Sequence, residues 1–192
     1  MGEIITQLFL IQFFSNLAPT LMLIYIPLIA ENLGAKSAIV GLVISIYYTT
    51  FLISGILFGR LSDLKEKKRY IIIGLGLSSL AFLSHLLIKN LPSLFIIRAF
   101  AGFAVGIFPA ALFAYFYEKN TILGKFTATG SLGFAVGSII AGIIAIYNTL
   151  FIVAAIIFIF IFILAIISLN QKQTMIKQPF WDFSIIKRNW RV

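Results

Sequence analysis

The chain has 192 residues, 61% of them hydrophobic and 11% charged, with a mean hydropathy of +1.08. That composition excludes an ordinary water-soluble domain, in which about 25% of residues are charged, and leaves room for roughly six membrane helices of about 20 residues each. The net charge of +9 would suit nucleic acid, but the basic residues cluster at the ends of apolar segments, so no nucleic-acid partner is expected; with no cysteine and one histidine there is no thiolate, disulfide or metal-cluster chemistry either.

In chain order, the first seven residues carry only Glu3 and lack the basic stretch of a signal peptide, so the first apolar segment reads as a retained helix. Span 1 runs from Leu8 to Ala30 and contains Pro19 and Pro27. Each proline frees a backbone carbonyl, which is tolerable where a neighbour or a cavity satisfies it. Gln12, Asn16 and Thr20 recur every four residues and share one face. Amides and hydroxyls in hydrocarbon need partners, so this row either glues helices together or lines a wet cavity. A short exit loop follows, with Glu31 read as solvated. Span 2, Ala38 to Phe58, carries several hydroxyls and the pair Tyr47 and Tyr48, which cannot both face the same way; Tyr48 is the candidate pathway residue. The charged stretch Gly59 to Arg69 comes next, then span 3 from Tyr70 to Ile88, with His85 near its far end as an interfacial or packing residue. Lys89 to Pro92 turns into span 4, Ser93 to Tyr117. A polar loop, Glu118 to Lys125, leads to span 5, Phe126 to Ile146, and Tyr147-Asn148 turns into span 6, Thr149 to Leu169.

Charge sets the orientation, because Lys and Arg beside membrane spans are retained on the cytoplasmic side. The stretch after span 2 holds five basic residues, the loop after span 4 holds Lys119 and Lys125, and the tail after span 6 holds five more; the opposite side has only Lys36 and Lys89. Both termini are therefore expected in the cytoplasm. The expected architecture is an all-α membrane bundle of six helices over residues 1–169, with residues 170–192 as a cytoplasmic linker or interfacial segment.

Gly59-Arg-Leu-Ser-Asp-Leu-Lys-Glu-Lys-Lys-Arg69 resembles the signature loop between helices 2 and 3 of the major facilitator superfamily. Gly59, Leu61, Asp63, Lys67 and Lys68 match that pattern, whereas Leu64 stands where a basic residue is usual and Glu66 where a glycine is usual. In span 4, Arg98 followed by Gly102 and Gly106 at intervals of four resembles the family's helix 4 motif, in which the arginine faces the central pathway. Without the resemblance, Arg98 could equally snorkel to the outer interface, since a central arginine costs roughly 2.5–3.5 kcal/mol on insertion scales. In span 5, Gly124, Gly133, Gly137-Ser138 and Ala141-Gly142 follow the spacing of the antiporter motif, but without its proline. Plain small-residue packing, as in Gly102 and Gly106, explains Gly133, Gly137 and Gly142 as well.

The resemblance implies half of a facilitator fold, built from two inverted three-helix repeats. In such a fold the substrate site lies between this half and a second six-helix half, supplied downstream or by a separate subunit. It implies a pathway through Gln12, Asn16, Thr20, Tyr48 and Arg98. It also implies a conformational switch at Gly59, Asp63, Lys67 and Lys68, with Asp63 meeting the amino end of a helix in the second half, where the dipole favours an anion. The tail from Asp182 to Arg191 resembles the approach to helix 7; its alternative is an amphipathic segment with Phe183, Ile186 and Trp190 on one face. No Asp or Glu lies inside a span, so any proton-coupling carboxylate is expected outside this chain. The reading is a plasma-membrane secondary transporter half that exports small amphipathic compounds in contact with the lipid bilayer, needs no cofactor and is not an enzyme. The alternatives are an uptake symporter or uniporter for a small solute and a truncated, non-transporting membrane fragment.

Overall fold

A computed structural model describes residues 2–119 and 122–169, and all their regular structure is helical. Eight α-helices, α1 (Gly2–Leu23), α2 (Tyr25–Asn32), α3 (Ser37–Leu64), α4 (Lys67–Ser84), α5 (Leu91–Gly106), α6 (Pro109–Lys119), α7 (Leu123–Ile144) and α8 (Tyr147–Ser168), form six spans long and apolar enough to cross a membrane. The protein is a multi-pass membrane protein. The tail proposed as a linker, residues 170–192, lies outside the described residues.

The two broken spans are broken by proline. Span 1 divides into α1 and α2 at Ile24, and Pro27 lacks the N–H that would have bonded to the Leu23 carbonyl. Span 4 divides into α5 and α6 at Ile107 and Phe108, directly before Pro109. Pro19 leaves α1 continuous. Around it, Asn16 Nδ2 donates to the Gln12 carbonyl at 2.8 Å and Thr20 Oγ1 to the Asn16 carbonyl at 2.7 Å, which holds the adjoining turns together. Span 4 starts on a capping box: Ser93 N donates to Asn90 Oδ1 at 2.9 Å, and Asn90 N donates to Ser93 Oγ at 3.1 Å.

The charged stretch after span 2 is not the loop that its composition suggested. Helix α3 continues through Gly59 and Asp63 to Leu64, and α4 restarts at Lys67, leaving only Lys65 and Glu66 as the link. Lys65 and Glu66 have φ of −131° and −68°, so the turn closes in ordinary backbone geometry and the glycine usual at position 66 is not needed. The turn into span 6 also differs from the expectation. Ala145, with φ 51°, ends α7, and Tyr147 and Asn148 already belong to α8.

Span 1 packs along α7 and α8, while span 4 packs along α3 and α4; α4 and α8 pack on each other. Exchanging span 1 with 4, 2 with 5 and 3 with 6 maps this set of contacts onto itself. Three helices per repeat is an odd number, so consecutive repeats enter the membrane from opposite sides. The described residues thus form the six-helix half-fold of two inverted three-helix repeats. One long-range hydrogen bond reinforces each matching pair: Tyr25 Oη donates to the Ala141 carbonyl at 2.8 Å, and Ser54 Oγ to the Phe103 carbonyl at 2.7 Å.

Glycines set the distance between these helices. A Cβ on Gly133 would collide with the Phe13 carbonyl, and one on Gly137 would lie 2.7 Å from the Leu17 carbonyl oxygen. On span 4, Gly102 and Gly106 stand directly against the Tyr47 and Phe51 carbonyls of α3. Gly142 does not belong to this set: it is exposed, and nothing lies within 4 Å of where its Cβ would be. Gly133, Gly137 and Ala141 recur every four residues on one face, and Gly142 is one position further round the helix.

Candidate functional site: a polar cavity between spans 1, 2, 4 and 5

Spans 1, 2, 4 and 5 line an open-sided cavity of about 530 Å³, to which span 3 adds only Phe82 and span 6 adds nothing among the described residues. Gln12, Asn16, Thr20, Tyr48 and Arg98, the five residues placed in the pathway from sequence, all line it. Helix periodicity explains the first three, since side chains four apart stand one above another.

The polar groups of the span 1 row are not equally engaged. Thr20 and Asn16 donate to carbonyls of their own helix, as does Ser15, whose Oγ lies 3.1 Å from the Gln12 carbonyl. The Gln12 carboxamide makes no hydrogen bond with the described residues, although the residue is only 5% exposed. The row fits against span 5 because of Gly130, where a Cβ would lie 2.6 Å from Gln12 Nε2 and 3.0 Å from Asn16 Nδ2. The sequence reading passed over Gly130, although its spacing of three and seven from Gly133 and Gly137 continues the same face.

Across the cavity, Arg98 is 4% exposed and does not reach the outer interface. Its guanidinium carbon stands 4.1 Å from the centroid of the Tyr47 ring. A desolvated cation–π contact of this kind contributes about 2 kcal/mol. The arginine makes no hydrogen bond or ion pair with the described residues, and its buried Nε is unsatisfied. Tyr47 and Tyr48 meet edge to face with centroids 5.2 Å apart, and both line the cavity. Tyr47 is the buried one of the pair and Tyr48 is half exposed. Sequence reasoning chose Tyr48 and missed Tyr47, which Val40, Val43 and Ser54 mark by their helical spacing as a member of the inward face.

At one end of the bundle, Phe9, Phe113, Phe116 and Phe126 join spans 1, 4 and 5, with Phe116 and Phe126 stacked at 4.1 Å. The charged stretch lies near the same end of span 4. Lys67 Nζ is 2.8 Å from Glu118 Oε1, with the lysine side chain 5% exposed. A Cβ on Gly59 would touch that of Ala110 at 3.1 Å. Gly59 and Lys67 therefore contact span 4, Lys68 is half-buried, and Asp63 is exposed with no ion pair or hydrogen bond to the described residues. Glu118 belongs to the last turn of α6 rather than to the loop expected from Glu118 to Lys125, and its pairing with Lys67 carries no signal in the sequence. His85 is buried rather than interfacial. Its Nδ1 lies 2.9 Å from the Ala81 carbonyl and its ring packs on Phe82 and Phe151.

The cavity offers amide groups, aromatic faces and one cation. It holds no nucleophile paired with a base, and no three His, Asp or Glu side chains converge among the described residues. An uncharacterized MFS-type transporter of the archaeon Methanocaldococcus jannaschii is 29% identical over 122 residues, which cover 60% of this chain and 32% of the relative. The chain thus matches about a third of that protein's length. The sequence profile described as Major Facilitator Superfamily matches residues 8–191. The chain belongs to the Major Facilitator Superfamily, a family of membrane transporters rather than enzymes.

Proposed function

We propose that this chain is the amino-terminal half of a secondary active transporter that exports small amphipathic compounds across the plasma membrane by alternating access. The observation that carries this reading is the cavity itself. Its volume falls within the range of small-molecule sites, about 300–1,000 Å³, and aromatic side chains face a short polar row across it. A molecule with an apolar body and one polar end matches both walls. Spans 2 and 5 are the least buried of the six, which leaves surface for a second six-helix body. Alternating access needs two bodies rocking around one site, and the described helices provide one.

The direct test is flux in proteoliposomes of known orientation, comparing the chain alone with the chain co-reconstituted with a second six-helix half. Saturable export of amphipathic dyes should require both bodies. Saturable transport by a demonstrated monomer would refute the two-body requirement, and inward accumulation of a small solute without dye export would favour uptake instead. Asp63 acts in this scheme as a latch toward the second half, which accords with its exposure and its lack of a partner among the described residues.

A further inference from the structure

We infer that the cavity binds an organic monoanion, its carboxylate or equivalent oxyanion seated against the Arg98 guanidinium and its aromatic or otherwise apolar body lying along the phenylalanine walls. The inference rests on the reading of this cavity as a substrate pathway and narrows the substrate class.

A cation taken out of water needs a counter-charge or a full set of acceptors, and in a membrane span the need is greater. Arg98 has neither among the described residues. Every described carboxylate, Glu3, Glu31, Asp63, Glu66 and Glu118, lies toward a helix end, and none lines the cavity. The Tyr47 ring offsets part of the desolvation, but a π-face accepts none of the five guanidinium N–H groups in a fixed geometry. A carboxylate does, through two parallel charge-assisted bonds. Among the described residues Arg98 is also the one charged residue lining the cavity, so a single negative charge balances it and a second would be left unpaired.

The remaining walls set the rest of the ligand. An inorganic anion would leave most of about 530 Å³ unfilled and would not match Phe51, Phe108, Phe113 and Phe134. The Gln12 carboxamide, with no hydrogen bond to the described residues, adds an NH2 donor group and a carbonyl acceptor for a second, neutral polar group.

The same oxyanion chemistry could come from a lipid headgroup, so the test separates the sources. The 192-residue chain in phosphatidylcholine nanodiscs is titrated calorimetrically, against empty-disc controls, with biphenyl-4-carboxylate, biphenyl-4-carboxamide and biphenyl-4-methylammonium. The carboxylate should bind about tenfold or more tightly than the carboxamide, with the ammonium weakest. Arg98→Gln should remove that preference, and Arg98→Lys, which keeps the charge but loses the planar fork, should retain part of it. Circular dichroism and size-exclusion profiles check that each variant is folded; if Arg98→Gln is not, a several-fold loss in Arg98→Lys carries the test. Equal binding of carboxylate and carboxamide by the parent, no carboxylate binding at millimolar concentration, or an undiminished preference in the folded variants would overturn the inference. Displacement of the carboxylate by phosphatidylglycerol in the disc would assign Arg98 to a lipid headgroup and overturn it as well. Carboxylate binding without flux in vesicles that hold the chain together with a second six-helix half would sink the transport reading and leave this site standing; export by that pair indifferent to substrate charge would do the reverse.

Discussion

Two alanine substitutions on one helix test whether the glycine seam holds spans 1 and 5 together. In Gly137→Ala the new methyl would lie 2.7 Å from the Leu17 carbonyl oxygen, 3.1 Å from Thr20 Cβ and 3.2 Å from Leu17 Cα. Two of these three atoms are backbone, so no rotamer change relieves the overlap. The helices must separate instead, by roughly half an ångström to one ångström, which forfeits a quarter to a half of the dispersion energy along the contact. Overpacking of this kind costs about 1–3 kcal/mol. Gly142→Ala places the same methyl in open space five residues along, where helix propensity favours alanine by up to about 1 kcal/mol. Thermal unfolding in detergent, followed by size-exclusion with fluorescence detection, should show Gly137→Ala clearly less stable than the parent and Gly142→Ala equal or slightly more stable. If the two variants melt together, the close approach of α1 and α7 is not what holds this face of the bundle.

Three further outcomes can be measured independently. Lys67 and Glu118 should couple across spans 3 and 4 in a double-mutant cycle with Lys67→Met and Glu118→Gln by about 1 kcal/mol, well below a fully buried pair because Glu118 is 28% exposed; coupling within the error of the cycle would reduce the contact to a screened surface pair. Asp63→Asn should leave the chain's melting temperature unchanged, since Asp63 has no partner among the described residues, yet impair transport in an assembly containing a second half; loss of stability in the isolated chain would instead make Asp63 structural. Single cysteines introduced into this cysteine-free protein at Lys36 and Lys89 should react with an impermeant reagent from outside intact cells and one at Glu66 should not; external labelling at position 66 would reverse the topology.

The six spans were legible because apolar runs of membrane length are a signal that tertiary context does not override. The site row was legible for a related reason: a four-residue interval of Gln12, Asn16 and Thr20 in an otherwise apolar helix identifies a face directly. What the sequence concealed were features decided by a neighbour. Nothing in Pro19 and Pro27 alone says that only the second interrupts its helix. Composition made Gly59 to Arg69 read as a loop, whereas α3 runs on to Leu64 and all but two residues of the stretch are helical, because charged residues are good helix formers once beyond the apolar region. Gly142 matched a motif by spacing along the chain and failed by angle around the helix. Tyr47 was missed because an adjacent pair of identical residues gives no internal clue to which one points inward, and the clue lay in Val40 and Val43.

The cavity wall divides its polar groups in a way that separates architecture from recognition. Thr20, Asn16 and Ser15 each donate a hydrogen bond to a carbonyl of their own helix. These bonds are made before any ligand arrives, and they tie the side chains to the turns of span 1. Gln12 and Arg98 are held as firmly, by Gly130 and by the Tyr47 ring, but their hydrogen-bonding capacity is left over. Buried capacity of this kind lowers the stability of the empty bundle and is recovered only when something fills the cavity. A bundle selected for rigidity alone would have placed an apolar side chain at both positions. A buried side chain with no hydrogen bond among the described residues, at each of two positions on the cavity wall, is the physical ground for treating these two residues as ones that meet a ligand.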